Sequence, residues 1–123
     1  MDDLQREIIL DHARNPRFPG ILVPADLDHE ASNPLCGDRL RLTMQLDDEG
    51  IIRALAWDAE GCAISQASAS MLAERILGQP LAQARKITRE EMLDMIGIPL
   101  ALNRIKCGLL PLKALSEGSE GRT

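Results

Sequence analysis

The stretch from Arg39 to Leu46 constrains the fold most, because polar and apolar residues alternate through it without interruption. A period of two places the apolar side chains on one face of a β-strand: Leu40, Leu42, Met44 and Leu46. The segment Asp47–Gly50 has the composition of a turn, and Ile51–Trp57 follows with β-branched residues at its start. We therefore predict a β-hairpin with one apolar face.

Helical spacing of apolar residues appears on both sides of this hairpin. It predicts a first helix from Asp3 to Ala13, which the prolines of the segment Asn15–Gly20 end. A second helix is predicted from Ala63 to Leu77, and Gly78 and Pro80 stop it. A weaker strand candidate, from Ala25 to Ala31, could pair beside the hairpin.

The last third of the chain predicts further helices. A short one could occupy the segment from Pro80 to Lys86, and the capping box of Thr88–Glu91 opens another that ends near Gly97. The final helix should begin near Cys107, because Pro111 is tolerated only in a first turn. Strands followed by helices predict an α+β fold with an antiparallel sheet.

Length and composition set the domain organisation and exclude two classes of partner. The chain has 123 residues, 45 % of them hydrophobic, which suits a single domain over 1–116 followed by a polar, disordered tail over 117–123. A net charge of −5 without a basic stripe argues against nucleic acid as a partner, and no apolar run is long enough to cross a membrane. The acidic, amphipathic N-terminus is unlike a secretory signal, so we expect a cytoplasmic protein.

Three cysteines, at positions 36, 62 and 107, lie where the predicted structure changes. Cys36 and Asp38 flank a glycine just before the hairpin, and Cys62 opens the second helix. Three thiolates and one carboxylate form a complete four-coordinate set for Zn²⁺, and Fe–S clusters prefer the same soft ligands. The alternative is that the cysteines are simply buried in the core, where this residue type is common.

Five short blocks, in order along nearly the whole chain, resemble the signature of one family. They are Ile9–His12, Asn15–Arg17, Cys36–Asp38, Gly61–Ser65 and Arg104–Cys107. By these blocks the chain resembles the SufU/IscU/NifU N-terminal family of iron–sulfur cluster assembly proteins. The resemblance implies a three-stranded antiparallel sheet with helices packed on one face.

The resemblance also implies a site and a function. It assigns Cys36, Asp38, Cys62 and Cys107 as ligands of Zn²⁺ or a [2Fe–2S] cluster, and Cys36 as the persulfide acceptor with Cys107 as its rival. A SufS-like cysteine desulfurase would supply the sulfur, and downstream proteins would accept the cluster. Such a chain would be a sulfur carrier or scaffold and not an independent enzyme. The alternative is a structural zinc-binding interaction module without sulfur transfer.

Three departures separate the chain from the typical members of each branch. Lys106 stands where IscU-type members have a histidine, and Leu100–Asn103 replaces their proline-rich, chaperone-recognised segment. Cys62 and Cys107 are 45 positions apart, which is too few for the inserted segment of SufU-type members. The sequence therefore combines a SufU-type site with an IscU-length chain. Lys106 could approach the site, and Arg104 could pair with an acidic partner.

Overall fold

The computed structural model describes residues 3–34 and 37–120. The elements are α1 (Asp3–Arg14), β1 (Leu27–Asn33), β2 (Asp38–Leu46), β3 (Ile52–Glu60), α2 (Ala63–Ile76), α3 (Leu81–Ala84), α4 (Arg89–Ile96) and α5 (Leu102–Gly118). The predicted hairpin, the weaker third strand and the α+β class are confirmed.

The sheet is antiparallel with strand order β1-β2-β3. Leu40, Leu42 and Met44 are buried on the face that the alternation predicts, whereas Leu46, beyond a register shift, is half-buried. On the other face, cross-strand neighbours carry opposite charges, as in the 2.6 Å ion pair between Arg39 and Glu60. One face of the sheet is thus apolar and covered, and the other is polar.

The helices cover the apolar face, as the family resemblance implied. Helix α5 packs on β1 and β2, and α2 packs on β3 and α5. Helix α1 lies on α2. The core between these layers is aliphatic, with Trp57 as the one aromatic side chain buried in it. None of the helices in residues 3–34 and 37–120 is long and apolar enough to span a membrane.

A buried histidine joins α1 to α2. The Ser70 hydroxyl accepts a hydrogen bond from the backbone N–H of Arg17 at 2.9 Å and lies 2.7 Å from Nδ1 of His12. Because Ser70 already accepts one proton, it can donate its own to a neutral His12. Burial, reinforced by the charge of Arg17, lowers the pKa of His12. These contacts give His12 a structural role in joining the two helices.

The largest error of the sequence prediction concerns the final helix. Helix α5 begins at Leu102, so Cys107 lies in its second turn and Pro111 lies inside it. A proline there removes the hydrogen bond that would reach the Cys107 carbonyl and costs about 3 kcal/mol. Burial of Leu110, Ala114 and Leu115 against the core offsets that cost.

The C-terminal end also differs from the sequence prediction. We placed the start of a polar tail at residue 117, whereas α5 continues through Gly118. Ser119 is buried, and its hydroxyl donates a hydrogen bond to the carbonyl of Leu115 at 2.5 Å. This bond closes the last helical turn and extends the ordered chain past the expected boundary. Residues 121–123 lie outside the described part of the chain.

Candidate metal centre

Asp38, Cys62 and Cys107 meet at one end of the sheet. Asp38 is the first residue of β2, and Cys62 follows the end of β3 as the N-cap of α2. The start of β2 and the end of β3 lie together because the two strands are antiparallel, with Arg39 opposite Glu60. Helix α5 crosses the same region and brings in Cys107 from its second turn.

The ligand atoms of these three residues lie within 4.8 Å of one another. Cys62 Sγ lies 3.8 Å from Asp38 Oδ2. A Zn–S bond of about 2.3 Å implies tetrahedral S···S separations of about 3.8 Å. The three donors are therefore within about 1 Å of the spacing that zinc requires, and two thiols with a carboxylate suit its chemistry.

Cys36, the fourth residue that the sequence assigns to the site, lies outside the described residues. The structure thus brings together three of the four predicted ligands. Gly37, between Cys36 and Asp38, has a φ of +74°, a left-handed conformation that favours glycine. The chain enters β2 directly from this residue, and Asp38 is buried.

Gly61 and Ser65 hold the ligands in place, and the sequence analysis did not identify either as a site residue. A β-carbon on Gly61 would lie only 2.7 Å from Asp38 Cγ and 2.8 Å from Ser65 Oγ. The Ser65 hydroxyl donates a hydrogen bond to the Cys62 carbonyl at 2.9 Å. The sequence signal that could have identified Gly61 is its position immediately before Cys62. Beside a ligand, a glycine indicates that neighbouring groups leave no space for a side chain, as Asp38 and Ser65 do here.

The two described cysteines differ in acidity. Burial raises the pKa of the Cys62 thiol, but hydrogen bonds from the Ser65 N–H, the Cys107 thiol and the Ile64 N–H outweigh it and lower that pKa overall. Burial, followed by the neighbouring Asp38 and Cys62, raises the pKa of Cys107. Without a cation, the thiolate therefore forms first on Cys62, at the start of α2.

Arg104 supplies the positive charge beside the thiols. Hydrogen bonding to Cys62, then attraction to the thiolates of Cys62 and Cys107, raises the pKa of the Arg104 guanidinium. Arg104 is itself exposed, one turn before Cys107 on α5. Lys106, which the sequence suggested for this place, instead lines a groove with Asn33 and Leu109. The role of Arg104 toward an acidic partner remains a prediction.

The fold and the site together define a small α+β domain that gathers two cysteines and an aspartate at one end of its sheet, a donor set that could hold a metal ion. The chain belongs to the NifU-like N-terminal domain family, whose model matches residues 4–120. The family resemblance drawn from the sequence motifs is thereby confirmed.

Two relatives show what proteins this chain is similar to. The zinc-dependent sulfurtransferase SufU of Bacillus subtilis is 37 % identical, with 96 % of this chain and 90 % of the relative covered. The iron–sulfur cluster assembly scaffold protein IscU of Thermotoga maritima is 35 % identical, with 90 % and 89 % covered. The SufU alignment spans 135 positions, more than this chain has residues, so the relative contains residues without a counterpart here.

Solved structures agree with the fold. A proposed iron–sulfur cluster assembly scaffold protein for the SUF system from Fervidobacterium islandicum superposes with a TM-score of 0.80 at 29 % identity, covering 91 % of this chain and 93 % of that one. The N-terminal part of a nitrogen-fixing NifU-like protein from Brucella abortus gives 0.73 at 25 % identity, covering 91 % and 89 %. The three-stranded sheet with its helices is therefore the family fold.

Proposed function

We propose that this protein serves iron–sulfur cluster assembly as a zinc-dependent sulfur carrier. The observation that carries the proposal is the convergence of Asp38, Cys62 and Cys107 within 4.8 Å in a chain of this family. The chain is 37 % identical to a zinc-dependent sulfurtransferase over 96 % of its length, against 35 % over 90 % for a scaffold protein, and this supports the carrier over the scaffold.

The ligand set in this proposal is Cys36, Asp38, Cys62 and Cys107. Cys36 precedes Asp38 by two residues, so the covalent chain keeps it within reach of the other three. Zinc, when bound, would keep the thiols deprotonated and hold them together. Two residues of this chain assist directly: Ser65 stabilises the Cys62 thiolate, and Arg104 balances its charge.

Sulfur transfer requires a thiolate that a partner can reach. Cys107 is 1 % exposed, so a partner cannot reach its thiol in this arrangement, and it is a poor acceptor. Cys36 precedes the first residue of β2 by two positions in the sequence, and we assign it the acceptor role. Its thiolate would attack the terminal sulfur of the persulfide on a cysteine desulfurase. The donor S–S bond breaks, the donor cysteine leaves as a thiolate, and a persulfide forms on Cys36.

A [2Fe–2S] scaffold is the second candidate, because the same donors suit a cluster and the scaffold protein IscU aligns with 90 % of this chain. In either role the chain performs a sulfurtransferase-like step with partners and is not an independent enzyme. Those partners are a SufS-like cysteine desulfurase and downstream cluster-accepting proteins, and we place the exchange in the cytoplasm.

Metal and sulfide analysis of protein purified without oxygen separates the candidates. One zinc per chain without labile sulfide supports the carrier, and iron with labile sulfide supports the scaffold. A second experiment incubates the protein with a cysteine desulfurase and labelled cysteine, followed by mass spectrometry of trapped persulfides. Label on Cys36 that disappears in Cys36→Ser but persists in Cys107→Ser supports the assignment, whereas label on Cys107 contradicts it.

One outcome would contradict both the sulfur-carrier and the scaffold proposals. If an active desulfurase labels no cysteine while the protein keeps its zinc, the chain is a structural zinc-binding interaction module. A closed site of that kind would also resist chelators, because structural zinc sites leave no position open to exchange.

A further inference from the structure

A groove with an apolar floor and a basic rim runs along the outer face of α5. It consists of two adjoining cavities of about 270 Å³ and 330 Å³, which share Leu109 and Lys113. We call it the α5 groove and define it by six of its lining residues: Lys106, Leu109, Leu112 and Lys113 on α5, with Arg85 and Arg89 from the segment around α3 and α4. Its floor is formed by leucines that are half-buried or buried.

The charge of the α5 groove is opposite to that of the whole protein. The chain carries a net charge of −5, yet the described residues that line the groove include four cations and no aspartate or glutamate. Within the described residues, Arg89 and Lys106 are exposed and form no ion pair. The arginines of the sheet, by contrast, are paired with acids, as Arg39 and Arg41 are.

The spacing of these side chains fits an elongated ligand. Lys106 and Lys113 are seven residues apart on one helix, so they lie on the same side, about 10 Å apart along the axis. Leu109 lies between them. Lys113 is also held in place, because its ammonium donates a hydrogen bond to the carbonyl of Ser32 at 3.1 Å.

Two lining residues of the α5 groove are close in sequence to the proposed metal ligands. Lys106 is adjacent in sequence to Cys107, and Pro34, which lines the same cavity, precedes Cys36 by two residues. A ligand in the groove would therefore contact helix α5, which carries Cys107, and Pro34, two residues before Cys36.

We propose that the α5 groove binds an acidic, amphipathic segment of the partner protein that exchanges sulfur or a cluster with this chain. The identity of the partner rests on the proposed function, but the chemistry of the segment rests on the groove alone. Apolar residues of the segment cover Leu109 and Leu112, while its carboxylates meet Lys106, Lys113 and Arg89. The apolar floor favours a peptide over a nucleic acid, whose phosphates would gain nothing from buried leucines.

The test measures binding of a fluorescent probe peptide by anisotropy to the zinc-loaded, full-length protein. The peptide has about 14 residues, roughly four helical turns, with leucines on one face and glutamates on the other. We expect the double variant Lys106→Glu/Lys113→Glu to bind it at least about tenfold more weakly, and the difference to shrink at high salt. The double variant Arg6→Glu/Arg14→Glu reverses two exposed charges on α1 and changes the net charge by the same amount. It is the matched control and should bind as wild type does.

Several results would overturn the proposal. One is that the wild-type protein does not bind the probe peptide, or binds a peptide of the same composition in scrambled order equally well. The others are that the control Arg6→Glu/Arg14→Glu loses as much affinity as the groove variant, or that wild type binds a single-stranded oligonucleotide more tightly than the probe peptide. If the charge reversal prevents folding, judged by circular dichroism and zinc content, the neutral pair Lys106→Gln/Lys113→Gln gives the same test. Zinc content and persulfide labelling of wild type report on the proposed function separately, so either idea can fail without the other.

Discussion

Replacing Gly61 by alanine should damage the fold and the metal centre together. The added β-carbon would lie 2.7 Å from Asp38 Cγ and 2.8 Å from both Asp38 Oδ1 and Ser65 Oγ. Ordinary carbon contacts are about 3.5–4.0 Å, so these neighbours must retreat by about 1 Å. Asp38 is 5 % exposed and Ser65 is 1 % exposed, which leaves neither of them free space to enter.

Overpacking of this kind costs about 1–3 kcal/mol. With a urea m-value of about 2 kcal/mol/M, a loss of 2 kcal/mol lowers the unfolding midpoint by about 1 M. The unfolding is measured on metal-free protein, because bound zinc adds its own stabilisation. Displacing the Asp38 carboxylate should also weaken zinc binding by about tenfold or more, measured by competition with a chromogenic chelator.

Gly50→Ala is the matched control. Gly50 has a φ of +81°, and nothing lies within 4 Å of a β-carbon built there, so alanine costs only the left-handed backbone, about 1–2 kcal/mol. Its zinc affinity should equal that of wild type. The reasoning is refuted if Gly61→Ala keeps wild-type zinc affinity, or if Gly50→Ala loses zinc to the same degree.

Three further perturbations test the site and the fold. Asp38→Ala should keep metal more weakly and less selectively, whereas Cys62→Ser should lose it on gel filtration; equal retention would mean that the residues do not form one site. Burial lowers the pKa of His12 below its ordinary 6.5, so the unfolded chain binds more protons than the folded chain at acid pH, and the free energy of unfolding should fall as the pH drops through 6.5. Urea titrations at about pH 7.5 and pH 5.5 measure this fall, which should be smaller in His12→Gln. Thr88→Ala removes the hydroxyl that accepts the Glu91 N–H at 3.1 Å and should cost about 1 kcal/mol in the same titration without changing zinc affinity.

Local patterns in the sequence predicted most of the fold. The alternation of residues 39–46 identified β2 and its buried face, because side-chain direction along a strand depends only on position. The capping box of Thr88 and Glu91 is present with both of its hydrogen bonds, since all its atoms lie within one turn. The start of α2 after Cys62 was likewise correct.

The same local reasoning failed where distant packing decides. A rule about proline placed the start of the last helix near Cys107, but the apolar contacts of α5 with the sheet outweigh the cost of Pro111 and extend the helix back to Leu102. The basic residue beside the thiols also differs from the sequence prediction, which suggested Lys106. Arg104, three residues before Cys107 on α5, reaches Cys62.

By itself, the sequence determined the residue types available for a metal centre and the family to which they belong. Only the tertiary structure decided that Asp38, Cys62 and Cys107 share one space, that Gly61 must lack a side chain there, and that α5 presents a basic groove beside them. The physical reason is that secondary structure depends on near neighbours, whereas a site built from three elements depends on how their apolar faces pack. That packing joins residues 69 positions apart, as Asp38 and Cys107 are.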